Sequence, residues 1–166
     1  ITLAVIVLIM VVFYGISGLI SSITLCFYLL LVFILFNLID GVLTLPSIAA
    51  LILGIGMAVD SSIITLEKIK EELANVKTLE KAYFAGNKRS LVSLIDANLT
   101  TFLAAVVLFI FGESSVKGFA TMLILTIIVT MITMVLINRL IMNNIITSKL
   151  FNGKERLLLG KIKKVI

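Results

Sequence analysis

Five times along this chain, over residues 1–18, 22–39, 45–66, 91–111 and 118–141, a nearly uncharged apolar run of about 20 residues recurs, each long enough to cross a bilayer as a helix. A backbone surrounded by hydrocarbon must satisfy its own N–H and C=O groups, so only helices and closed barrels can span. Barrel strands would read as segments of about ten residues alternating in polarity, and these runs do not alternate. The expected fold is therefore all-α: a polytopic membrane bundle of five transmembrane helices. A composition that is 61% hydrophobic and 14% charged, with a mean hydropathy of +1.26, is consistent with this. A soluble enzyme is excluded. The chain has no His, and its single Cys26 has no partner for a disulfide or a metal set, so it reads as a packing thiol. No nucleophile and base are paired, and no enzyme activity is expected.

Basic residues set the orientation. Lys68, Lys70, Lys77, Lys81, Lys88 and Arg89 fall between the third and fourth spans, and Lys149, Lys154, Arg156, Lys161, Lys163 and Lys164 follow the fifth. The positive-inside rule makes both segments cytoplasmic, and counting back three crossings puts Ile1 outside. The net charge of +5 is then accounted for by lysines facing anionic lipid, and no nucleic-acid surface is read from it. Span one opens without an initiator Met, a basic segment or a cleavage site, so it does not read as a signal peptide. The chain is expected to be a piece of a longer one, whose preceding part emerges on the outer side.

Within the inner segments, residues 67–79 place Ile69, Leu73, Val76 and Leu79 at helical spacing among Lys and Glu, which predicts an amphipathic helix along the inner surface. Gly86 and Asn87 are expected to break the helical pattern before span four. Pro46 suits the entry of span three, with Thr44 or Asp40 as a cap. The domain reading is a five-helix membrane domain over 1–141, with a cytoplasmic connector at about 67–89, followed by a basic tail or linker over 142–166.

The exception to the apolar pattern is Asp60, inside span three. An ionised Asp near a helix centre costs on the order of 3 kcal/mol on insertion scales, so such a residue faces protein or water and marks an ion or proton path. Ala49, Leu53, Gly56, Asp60 and Ile64 share one helical stripe, and Ser47, Gly54, Ser61 and Thr65 share another. Small residues at this spacing let helices approach closely. Span three is therefore expected to be a central helix with its carboxylate turned inward. Span four answers with DANLTT, where Ser93, Asp96, Thr100 and Ala104 form one stripe and Asn98 with Thr101 a second. Asp60 and Asp96 each lie seven residues from an inner boundary, about 10 Å deep. The two acids either share a proton or divide the work, one titrating while the other holds helices together.

The stretches TLPSIAALILGIGMAVDSSIITLEKIKEEL (44–73), SLIDANLTTFLAAVVLFIFG (93–112) and VKGFATML (116–123) resemble, in this order, the fourth, fifth and sixth membrane helices of the SecD family. This is a branch of the resistance-nodulation-division superfamily of proton-driven transporters, and a SecD half fused to SecF is equally compatible. The resemblance implies helices two to six of a six-helix half, in the cytoplasmic membrane of a bacterium. It implies a Sec protein-export accessory driven by the proton motive force, with a SecF half or subunit, the SecYEG translocon, a translocating preprotein and membrane lipid as partners. Protons are the coupling ion and no other cofactor is implied. Asp60 matches the family's proton-carrying aspartate. The chain departs from the family pattern at Ser61, Ser62 and Thr65 beside that acid, and in YGISG (14–18), which lacks the usual basic and proline residues. Two alternatives stand beside this reading: a non-transporting scaffold for translocon assembly, and a lipid or drug exporter of the same superfamily.

Overall fold

The computed structural model describes residues 2–75 and 79–147, and everything described is helical or a short turn. The helices are α1 (Thr2–Leu38), α2 (Leu45–Asn75), α3 (Leu79–Phe111), α4 (Ser114–Thr130) and α5 (Asn138–Thr147), with α4 and α5 joined by a π-helical segment, Met131–Ile137. Four helical stretches are long and apolar enough to cross a membrane, against the five expected. The difference lies in α1. Spans one and two run together across a break of one residue at Gly15, φ 57° and ψ −130°, in place of a connection between residues 18 and 22. Its two arms fold against each other, so close that a Cβ on Gly18 would collide with the Met10 carbonyl.

Local chemistry explains the other ends. Past α1, Asp40 takes the left-handed conformation (φ 49°), the Gly41 N–H bonds to the Phe36 carbonyl at 3.1 Å and the Asp40 N–H to the Asn37 carbonyl at 3.1 Å. This double closure satisfies carbonyls that the helix end would leave open. A side chain on Gly41 would strike the Phe36 ring. Thr44 caps α2, its hydroxyl accepting from the Ser47 N–H at 3.3 Å, and Pro46 sits in the first turn. Asp40 thus ends one helix and does not cap the next.

Two expectations about the connector are overturned. The segment from Glu67 to Asn75 is no separate surface helix but the continuation of α2, and α3 runs unbroken through Gly86 and Asn87. At 31 residues α2 is about 46 Å long, well beyond a hydrocarbon core of about 30 Å. Its end and the start of α3 form an antiparallel pair, in which Ile69 is buried against Gly86 and Glu72 pairs with Arg89. Residues 76–78 of this connector lie outside the described residues, as does the expected tail from 148 on; its first residues, 142–147, continue as α5.

The main core is built by the second arm of α1, α2 and α4, with Tyr28, Val32, Ala58, Met122 and Ile127 almost free of solvent. A second cluster, at the basic end, joins Met10 and Tyr14 to Leu66, Ile69, Tyr83 and Met142. Threonines inside this apolar setting bond to their own helices: Thr126, Thr130 and Thr133 donate to the carbonyls of Leu123, Thr126 and Val129. Span three packs against α1, α3, α4 and the π segment, as expected of a central helix, and the last helical stretch is the more buried one. Its most apolar stretch is 56% buried, against 33% for α2 and 17% for α3. Cys26 faces outward on this bundle.

Candidate functional site

Asp60 and Asp96 sit on neighbouring helices that pack along their length. From the Ile69–Gly86 contact, Asp60 lies nine residues back along α2 and Asp96 ten residues on along α3, each about 14 Å away at 1.5 Å per residue. Because the helices run antiparallel, the two acids stand at about the same level of the bundle.

The structure divides the sequence-selected residues between two surroundings. Gly54, Ser61, Thr65 and Asn98 point into the bundle and are buried. Gly54 lies at a crossing: a Cβ there would come within 2.6 Å of Thr126 Cβ and 2.7 Å of the Tyr28 hydroxyl. The buried polar groups are satisfied within their own helices. Ser61 Oγ donates to the Met57 carbonyl at 2.8 Å, Thr65 Oγ1 to the Ser61 carbonyl at 2.9 Å, and Asn98 Nδ2 to the Leu94 carbonyl at 2.7 Å. They line the interior, on the side of the helices away from the acids.

The acids lie on the other side. Asp60 is exposed on this chain, with Ala49, Leu53 and Gly56 of its stripe, and a Cβ on Gly56 would meet nothing within 4 Å. The expectation of an inward carboxylate is therefore wrong for this bundle. The stripe was grouped correctly, but it faces away from α1 and α4, which pack on the Gly54 and Ser61 side. Asp96 and Thr100 are likewise exposed, while Thr101 is half-buried; Thr100 Oγ1 donates to the Asp96 carbonyl at 2.9 Å and Thr101 Oγ1 to the Ala97 carbonyl at 3.1 Å. Among the described residues, neither acid's carboxylate has a hydrogen bond or an ion pair.

Sequence reasoning missed Arg139, which follows the π segment. Its guanidinium donates to the Asn87 carbonyl at 2.8 Å and approaches Ser90 Oγ at 3.5 Å, while its own carbonyl accepts from the Tyr83 hydroxyl at 3.0 Å. The last helix is thereby clamped to the start of α3. Nothing local in NRLIM signals this, because its partners lie about 50 residues away. A second basic contact closes the break in α1: Lys70 Nζ lies 4.1 Å above the Tyr14 ring and donates to the Phe13 carbonyl at 3.4 Å. Beyond the membrane part of α2, Glu71 is held below the usual carboxylate range by its hydrogen bond and charge pairing with Lys68, 2.8 Å away.

The comparisons with known proteins agree with one another. Residues 1–148 match the family described as protein export membrane protein SecD/SecF, C-terminal. Over 128 residues the chain is 56% identical to the protein translocase subunit SecDF of Bacillus subtilis, covering 77% of this chain and 17% of that one. It is 42% identical to the protein translocase subunit SecD of Acidaminococcus fermentans over 77% of its own length and 31% of that protein's. The chain thus spans less than a third of either relative. A crystal structure of SecDF in a super-membrane-facing form superposes with a TM-score of 0.83 at 31% identity, over 87% of this chain and 20% of that one. A SecDF structure from Thermus, described as a translocon-associated membrane protein, gives 0.78 at 30% identity, over 92% and 21%.

Proposed function

The chain belongs to the SecD/SecF family of protein export membrane proteins, and on that premise we propose that it is the SecD-side membrane domain of a Sec translocase subunit driven by the proton motive force. One observation carries the proposal. Two carboxylates stand level on adjacent helices of a membrane bundle, and both lie on faces that this bundle leaves open. Lipid is an unfavourable neighbour for either, at on the order of 3 kcal/mol each, so protein and water must cover that face. A second, related half is the natural cover, and transporters built from parallel repeats hold their sites where the halves meet.

At such an interface, Asp60 takes up a proton from one side and releases it to the other, which is the role the resemblance assigns. Transfer of one charge through 100 mV supplies about 2.3 kcal/mol, and the two protonation states of a covered acid favour different packings of the halves. Asp96, at the same level, shares the proton or holds the neighbouring helix in register. Gly56 leaves room on α2 for a close approach of the other half, and Thr100 adds a hydroxyl on the α3 side. Gly54, Ser61, Thr65, Asn98 and Thr101 support from behind by fixing the helices that carry the acids. In this arrangement the basic end faces the cytoplasm of a bacterial cell, a SecF half covers the acidic face, and SecYEG and the moving preprotein are the functional partners.

The test uses the full-length protein with its SecF half in proteoliposomes carrying an imposed proton gradient. Asp60→Asn is expected to abolish both proton flux and export assistance while insertion and partner binding persist. If flux and export both survive, the aspartate is structural and the scaffold reading replaces this one.

A further inference from the structure

Away from the acidic face, a small cavity lies between the two arms of α1, α2 and the π segment. Its wall carries three hydroxyls, of Ser21, Ser22 and Ser62, among the side chains of Met10, Leu25 and Met134. The space left for the centre of a water molecule is about 10 Å³, the room that one water needs. Ser21 is 97% buried and its Oγ has no hydrogen-bond partner, in a setting where an orphaned hydroxyl is costly.

The three hydroxyls are not equivalent. Ser22 directs its proton to the Gly18 carbonyl at 2.8 Å, and Ser62 directs its own to the Ala58 carbonyl at 3.4 Å or to Met134 Sδ at 3.3 Å. Both protons are therefore committed and these oxygens are left to accept, whereas Ser21 still has a proton to give. One donor and two acceptors are the complement of a water molecule, which accepts one bond and donates two. A cation would need more oxygen ligands than three hydroxyls supply, and an anion would need more donors. We propose that this cavity is a binding site for a single ordered water, held by Ser21, Ser22 and Ser62, which joins the second arm of α1 to α2. This part of the bundle then carries an exchangeable bridge beside its direct packing.

Synchrotron radiolysis tests this, because X-rays split a bound water into hydroxyl radicals that oxidise methionine sulfur within reach. Met10 and Met134 line the cavity at 3% and 4% exposure, and Met122, at 0% and away from it, is the matched control. The whole protein is irradiated in lipid nanodiscs with a membrane-impermeant scavenger that removes radicals formed in bulk. Met10 and Met134 are expected to gain oxygen several-fold faster than Met122, with the label of ¹⁸O water when the sample has been equilibrated with it. Ser21→Ala is expected to bring both rates down towards that of Met122. Equal rates in the native protein would mean a dry cavity and overturn the proposal without any variant; unchanged labelling in Ser21→Ala would overturn it too, by removing Ser21 from the site.

Discussion

Gly86 of α3 lies against the backbone of Ile69 of α2, so closely that a Cβ on the glycine would come within 2.6 Å of Ile69 Cα and 2.7 Å of its N. Backbone cannot turn aside as a side chain can, so a larger residue must push the two helices apart. The same pair sets the register that brings Asp60 and Asp96 level. Gly86→Ala is expected to lower stability by roughly 1–3 kcal/mol, and Gly86→Val by more. Thermal unfolding in detergent would check this; an unchanged midpoint for both variants would mean that the pair has no fixed packing.

Gly54 and Gly56 are two residues apart and face opposite demands. A methyl at Gly54 would press on Thr126 and Tyr28 in the core, while one at Gly56 would meet open space. Gly54→Ala is therefore expected to cost roughly 1–3 kcal/mol. Gly56→Ala should leave the stability of this bundle unchanged or raise it by up to about 1 kcal/mol through helix propensity. In the assembled transporter the order reverses if another half covers that face. Gly56→Leu should then fold normally and fail in export, and normal export by Gly56→Leu would argue against a close cover over Asp60.

Much of this architecture was legible because the bilayer imposes length and polarity on each helix separately. The spans over 45–66, 91–111 and 118–141 fall within observed helices. The stripes on α2 and α3 also followed from helical spacing alone. What could not be read was the direction of a stripe, since lipid and protein interior are both apolar and periodicity is silent about which covers Asp60. Gly86 was misread for a related reason. A glycine in isolation looks like a breaker, and only the approach of Ile69, 17 residues earlier, makes it a contact surface. Arg139 and the π segment before it depend in the same way on partners distant in sequence.

Gly15 is the one residue of α1 whose backbone a side chain would strain. With φ 57° and ψ −130° it occupies a region that L-residues avoid, and the fold-back of the two arms depends on it. Gly15→Ala is expected to cost roughly 1–3 kcal/mol. It should also loosen the contact of Lys70 with Tyr14 and the Phe13 carbonyl. Limited proteolysis around residues 14–18 would detect this as faster cleavage, and equal cleavage and stability would show that the turn has other solutions.

Tyr83 and Arg139 hold the last helix to α3 by two independent routes. The Tyr83 hydroxyl donates to the backbone carbonyl of residue 139, and the guanidinium donates to the Asn87 carbonyl, so neither bond needs the other's side chain. Tyr83→Phe is expected to cost about 1 kcal/mol, and Arg139→Ala, which removes a charge-assisted bond, roughly 1.5–3 kcal/mol. Because the hydroxyl bonds to backbone, its loss should cost as much in the Arg139→Ala background as in the native one. A double-mutant cycle from equilibrium unfolding would test this: additive losses, within about 0.5 kcal/mol, fit two separate clamps. A larger coupling would mean that the guanidinium positions the carbonyl that Tyr83 uses, making the pair a single clamp that opens as a unit.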